Sequence, residues 1–139
     1  MKRIITLLLA LITIMSCGNK PKGSPSQSSG PITMNLYYTG TDGNARKFVE
    51  EMESSGTAAA IRAEEGNLRY DFFFSAADRE TVLLIDSWTS QEAIDAHHDT
   101  PMMETIAALR EKYDLHMSAE RYFRAEEDMP TTDETFIRK

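Results

Sequence analysis

Hydrophobic and polar positions along residues 32–126 follow two periods in turn. From Ile32 to Thr39, Met34, Leu36 and Tyr38 alternate with Thr33, Asn35 and Tyr37, the period of two of a half-buried strand. Gly40-Thr41-Asp42-Gly43 reads as a turn, with Asp42 as the cap of the next helix. Ala45, Phe48, Val49 and Met52 then fall on one helical face. Ser54-Ser55-Gly56 weakens that helix, Thr57 restarts it as far as Glu65, and Gly66 stops it. Asn67 to Phe74 returns to strand period, with Leu68, Tyr70, Phe72 and Phe74 on one face and Arg69, Asp71 and Phe73 on the other. After the polar turn Ser75 to Glu80, Thr81 to Trp88 holds Val82, Leu83, Leu84 and Ile85 in succession, as in a strand covered on both faces. Thr89-Ser90-Gln91-Glu92 fits a capping box ahead of a short helix from Gln91 to about His98. Thr100-Pro101 restarts that helix, and Met102, Ile106, Leu109 and Tyr113 form its apolar stripe. Leu115 to Arg124 predicts a fourth strand, with Leu115, Met117, Ala119 and Phe123 on one face.

The order β-α-β-β-α-β in two similar halves predicts an α+β, ferredoxin-like fold: four antiparallel strands with helices on one face. The other face carries apolar groups that cannot stay wet. Two sheets placed face to face would cover them, so the expectation is a homodimer with a barrel-like core, a dimeric α+β barrel. The domain is expected over residues 32–126, followed by a loose polar tail over 127–139.

The first thirty residues read as an address. Lys2 and Arg3 precede a nearly unbroken apolar run from Ile4 to Met15, well short of the about 20 residues a spanning helix needs. It fits the apolar region of a signal peptide over residues 1–16. Ile14-Met15-Ser16-Cys17 resembles the lipobox of bacterial lipoproteins, which implies cleavage before Cys17 and its diacylation. Residues 17–31, rich in Gly, Pro and Ser, would then tether a domain to a membrane of the cell envelope, on the periplasmic side.

Composition narrows this little further. At 139 residues the chain fits one domain, and its net charge of −7 argues against a nucleic-acid partner. A single cysteine excludes an internal disulfide framework and a thiolate metal cluster.

Several segments together resemble one family. Ile61-Arg62-Ala63-Glu64-Glu65-Gly66-Asn67-Leu68-Arg69-Tyr70 matches a glutamate, a glycine and a strand reaching tyrosine. Val82-Leu83-Leu84-Ile85-Asp86-Ser87-Trp88 matches a strand with an acidic residue two before tryptophan. Glu92-Ala93-Ile94-Asp95-Ala96-His97 and Pro101-Met102-Met103 match the helix start and the segment after it. In these the chain is similar to the antibiotic biosynthesis monooxygenase (ABM) family, and within it to the quinol monooxygenases. The resemblance implies a dimeric barrel and oxidation of a quinol-like or small aromatic substrate by O₂, with no metal or other cofactor, since the substrate itself supplies the electrons. A haem-degrading branch places its axial histidine near Ala107, which cannot ligate iron.

The same resemblance singles out site residues. His97 takes the family's histidine position, where a neutral imidazole can accept a phenolic proton. Asn35 would hold a substrate oxygen. Apart from the resemblance, the aromatic strand residues Tyr37, Tyr70 and Phe72 would line an aromatic slot, and Trp88 would form its wall. Read without the family, each residue has a structural alternative: a helix-tying histidine, an edge asparagine, core aromatics. His98 is expected at the surface, because adjacent helical side chains diverge by about 100°, and the pair does not suggest a metal site. Asp86 and Arg121 read as ion-pair partners, and Glu64 and Glu65 as solvated. A non-catalytic small-ligand module and an isomerase of a small oxygenated metabolite fit the same residues.

Overall fold

The computed structural model describes residues 30–124 and 131–137. The signal segment, Cys17, most of the tether and residues 125–130 lie outside the described residues. Strand β1 (Ile32–Thr39) is followed by helices α1 (Asn44–Ser54) and α2 (Thr57–Arg62), strands β2 (Asn67–Phe74) and β3 (Thr81–Trp88), helices α3 (Gln91–His98) and α4 (Met102–Lys112), strand β4 (His116–Phe123) and a short helix α5 (Thr131–Glu134). The four strands form one antiparallel sheet in the order β2-β3-β1-β4, the ferredoxin-like arrangement.

The core lies between the sheet and the helices. Val82, Leu84 and Trp88 of β3 are buried beneath Phe48 and Met52 of α1, Ile61 of α2 and Ile94 of α3. Phe48 meets Tyr38 at 5.0 Å and Phe72 edge-on at 6.2 Å between ring centroids. Each such aromatic pair adds about 0.5–1.5 kcal/mol beyond the area it buries. Arg62 fastens α2 in place, pairing with Glu53 of α1 and donating from Nε to the Tyr70 carbonyl at 2.8 Å.

Four local expectations are corrected. Asp42 does not cap α1: it and Gly43 are both left-handed (φ 55° and 74°), so the chain enters the helix from Gly43. The Glu80 carboxylate, arriving from the β2–β3 turn, accepts the Gly43 N–H instead, at 3.0 Å. Helix α2 ends at Arg62 rather than Glu65, because Gly66 (φ 83°) turns the chain only after an irregular step through Glu64. The cap of α3 is Ser90, whose Oγ accepts the Ala93 N–H at 3.3 Å. Finally, a register shift between Asn67 and Arg69 takes Leu68 off the core face; it is 54% exposed beside Thr33, Ile85 and Ser87 on the far side of the sheet.

That far side is mixed. Leu83 and Ile85 are half-buried, Phe73 and Tyr122 exposed, and the Thr33 and Ser87 hydroxyls meet at 2.8 Å. Strand β4, at the sheet edge, is exposed along its whole length. The helices cover the other three strands and stop short of it, and this gap becomes the site. Among the described residues, no helix is long and apolar enough to cross a membrane.

Candidate functional site

The register brings four side chains into one row across the helix-facing side of the sheet. Tyr70 pairs with Asp86, Asp86 with Met34, and Met34 with Arg121. Neighbouring strands are about 4.8 Å apart, so the row runs roughly 14 Å from buried Tyr70 to the open edge. All four line a cavity of about 260 Å³. Leu36 and Ala119, one step along the strands, continue its floor, and its roof is Ile94 and His97 of α3 with Met103 and Ile106 of α4. The volume suits one or two fused rings, and the walls are mostly apolar.

His97 is the polar group whose placement is most closely determined. It stands in the last turn of α3, 5% exposed, and the Thr100 hydroxyl holds the end of the helix by donating to the His97 carbonyl at 2.8 Å. Its ring lies over the Trp88 indole, 4.9 Å between centroids and tilted by 30°. Its Nδ1 lies 3.0 and 3.1 Å from the two Glu64 carboxylate oxygens. A carboxylate only accepts, so this contact puts the proton of a neutral imidazole on Nδ1. Nε2, with no protein partner among the described residues, is left with a free lone pair in a ring that lines the cavity.

Glu64 is in position because of the backbone. It lies between the end of α2 and Gly66, whose carbonyl accepts the Thr89 N–H at 2.8 Å and so ties the start of β2 to the start of α3. A Cβ at Gly66 would lie 2.6 Å from Ala93 Cβ and 2.8 Å from Thr89 Oγ1. The close approach of this loop to α3 is what lets a residue from before β2 reach a histidine 33 positions later.

Asp86 is the second polar group of the cavity and has an unusual environment. It is 7% exposed, and its Oδ1 has no hydrogen-bond partner among the described residues. Burial pushes its carboxyl up to about 6; the Trp88 indole N–H leans toward it and offsets part of this without closing a bond of normal geometry, and the Glu64 charge raises it a little further. Tyr70 and Tyr38, both buried, are also pushed up by desolvation, Tyr38 to about 12, so both remain neutral phenols that can donate. The folded state holds the Asp86 proton above the ordinary carboxyl value of 3.8, so the stabilisation is complete below pH 3.8 and lost as pH rises through about 6. Asp86→Asn is therefore expected to raise stability by about 2–3 kcal/mol at pH 8 and to leave it nearly unchanged at pH 4. Thermal melts at the two pH values check this; equal effects at both would contradict it.

The structure divides the residues singled out from the sequence. His97 and Tyr70 line the cavity, and Trp88, 1% exposed, lies behind His97 as its stacking partner rather than forming a wall. Asn35 and Tyr37 are on the opposite face of the sheet. Asn35 borders a shallow depression with Leu68 and Tyr122, and the Tyr37 hydroxyl donates to Glu120 at 3.1 Å. Strand alternation requires this, since both have the opposite parity to Met34 and Leu36. Phe72 packs in the core edge-on to Tyr70. His98 is exposed, yet it borders the cavity mouth. Asp86 and Arg121 make no ion pair with each other or with another described residue; Arg121 instead donates to the Gln91 side chain. Glu64, expected in solvent, is the histidine's partner, its side chain only 15% exposed. Among the described residues, no group of three or more His, Cys, Asp or Glu side chains is placed to hold a metal ion.

Known proteins give this arrangement a context. The family profile described as "Antibiotic biosynthesis monooxygenase" matches residues 31–109. A protein of Bacillus subtilis (strain 168) named "Putative monooxygenase YcnE" is 26% identical over 77 residues, covering 55% of this chain and 79% of that one. Among solved structures, a Bacteroides thetaiotaomicron VPI-5482 protein described as a possible oxidoreductase shares the fold at a TM-score of 0.62 and 22% identity, over 70% of this chain and 100% of its own. PA3566 of Pseudomonas aeruginosa does so at 0.60 and 24%, over 70% and 96%.

Proposed function

The chain belongs to the antibiotic biosynthesis monooxygenase family, and on that footing we propose that it is a monooxygenase that oxidises a quinol-like or small aromatic substrate with O₂. The observation that carries this reading is the Glu64–His97 pair at an apolar cavity, with His97 Nε2 free to take a proton. The ring lies against Met34, Leu36 and Ile106, and one hydroxyl meets Nε2. Nε2 accepts the phenolic proton, and Glu64 steadies the imidazolium that forms. The phenolate is electron-rich enough to pass an electron to O₂, and recombination at ring carbon forms the new C–O bond. The balance is one quinol and one O₂ giving one hydroxyquinone and one water: the substrate is oxidised, one oxygen atom enters the ring, and the other leaves as water. Asp86 and Tyr70 face the same ring and can hydrogen-bond a second oxygen. The low-polarity walls restrict water around the radical pair.

Replacing Glu64 by Gln tests the pairing. An amide can donate to Nδ1, which moves the histidine's own proton to Nε2 and removes the base. Glu64→Gln is expected to lower kcat about 10²-fold or more while changing KM little; oxygen uptake against substrate concentration reads both. An unchanged kcat would remove Glu64 from the account.

The protein is further taken to work as a homodimer whose mixed sheet faces close on each other, covering Leu68, Phe73, Ile85 and Tyr122. Sedimentation is expected to show a dimer, and Ile85→Asp a monomer; a wild-type monomer at micromolar concentration would contradict this. Attachment to the cell envelope through Cys17 belongs to the same reading and rests on Ile14-Met15-Ser16-Cys17 alone. Cys17→Ser is expected to move the protein from the membrane to the soluble fraction.

A further inference from the structure

The cavity differs at its two ends. One end holds Asp86, His97 and Gln91, at the level of Met34 on β1. The other is at the level of Tyr38, four residues further along the strand, roughly 13 Å away at about 3.3 Å per residue. Arg110 of α4 lines this second end. Its charge reaches the Tyr38 phenol and offsets part of the effect of burial there, while the Asp86 charge, felt by the same phenol, adds to that effect, so the phenol lies between the two groups.

Among the described residues Arg110 lacks a partner. Its Nε is buried and has no hydrogen-bond acceptor among them. The ion pairs among the described residues are Arg62–Glu53, Arg69–Asp71, His97–Glu64 and Lys112–Glu51, and none includes Arg110. A guanidinium is a donor fork shaped for carboxylate and always charged. Held at an apolar cavity with a buried, unanswered N–H, it favours a ligand that brings its own anion.

The geometry points to Arg110 as the recognition site for a carboxylate on the substrate, at the end remote from the hydroxyl that meets His97. The substrate class is then an acidic hydroxyaromatic lying lengthwise over Met34, Leu36 and Ile106. The hydroxyl end rests on the function proposed above; the anion end stands on Arg110 alone.

Two matched pairs of probes separate these parts: 3-(3,4-dihydroxyphenyl)propanoate with its primary amide, and 3-phenylpropanoate with its primary amide. Binding is read without oxygen from the fluorescence of Trp88, the only tryptophan, and turnover from oxygen uptake. In both pairs the acid is expected to bind about tenfold or more tighter than the amide. Arg110→Gln is expected to abolish that preference, and Arg110→Lys to restore part of it; cooperative melts of both variants confirm that they fold. An acid preference without oxygen uptake would overturn the monooxygenase reading and support the anion site. Equal binding of acid and amide, binding of neither pair, or a preference that survives Arg110→Gln and falls in Arg121→Gln would overturn the assignment to Arg110, whatever the turnover.

Discussion

His97→Ala is expected to lower kcat by about 10²–10⁴-fold, the usual contribution of a positioned general base. The effect should fall on kcat more than on KM, because the cavity walls that hold the ring, Met34, Leu36, Met103 and Ile106, are untouched. Stability should fall as well, by about 1–3 kcal/mol, since Glu64 loses its partner while remaining mostly buried. His97→Gln separates the two effects: an amide can still bond Glu64 and recover much of the stability, but it supplies no base. Steady-state oxygen uptake and thermal melts of both variants check this. If His97→Ala kept the wild-type kcat, His97 would be a structural tie between α3 and the β2 loop, and the chemistry would lie elsewhere in the cavity.

Gly66→Ala should be the most destabilising small change near the site. Its φ of 83° lies where an L residue is strained, and the added methyl would lie 2.6 Å from Ala93 Cβ. Strain and overpacking together cost about 2–4 kcal/mol, which in a domain of this size lowers Tm by roughly 10–20 °C. Gly43→Ala is the matched control: its φ is 74°, but nothing lies within 4 Å of the new Cβ, so only the conformational cost of about 1 kcal/mol remains. Because Gly66 sets the distance between Glu64 and α3, its replacement should also lower kcat in the protein that stays folded. Melts showing similar losses for the two glycines would mean that the approach to α3 is looser than described.

Much of the fold could be read from the sequence because each element has a clear period. The alternation from Ile32 to Thr39 and the run from Val82 to Ile85 correspond to strands with the bounds expected of them, and Pro101 marks the restart between α3 and α4. What could not be read depends on contacts between distant segments. The irregular step at Asn67–Arg69 that moves Leu68 across the sheet leaves no mark in a pattern of alternating residues. The Glu80 bond to Gly43 joins two turns 37 positions apart.

The site shows the same division. Family resemblance points to Asn35, and aromatic character to Tyr37, although strand alternation already places both opposite Met34 and Leu36; here the period is the better guide. Asp86 shares its face with Leu84 and Trp88, so the sequence shows an acid pointing into the core, for which an ion pair is the first expectation. A buried acid without a basic residue opposite it is better read as facing a cavity. Glu64 gave no such signal. Only the fold shows that the turn at Gly66 brings it against α3.

Turnover of a dihydroxyaromatic under ¹⁸O₂, followed by mass spectrometry of the product and of the water formed, distinguishes oxygenation of the ring from dehydrogenation and from binding without reaction. One labelled oxygen is expected in the hydroxyquinone and one in water, with both products formed about 10²–10⁴-fold more slowly when His97→Ala replaces the wild type. An unlabelled quinone would mean simple dehydrogenation, and no oxygen consumption across such substrates would mean a cavity that binds without reacting; either result would contradict the monooxygenase reading.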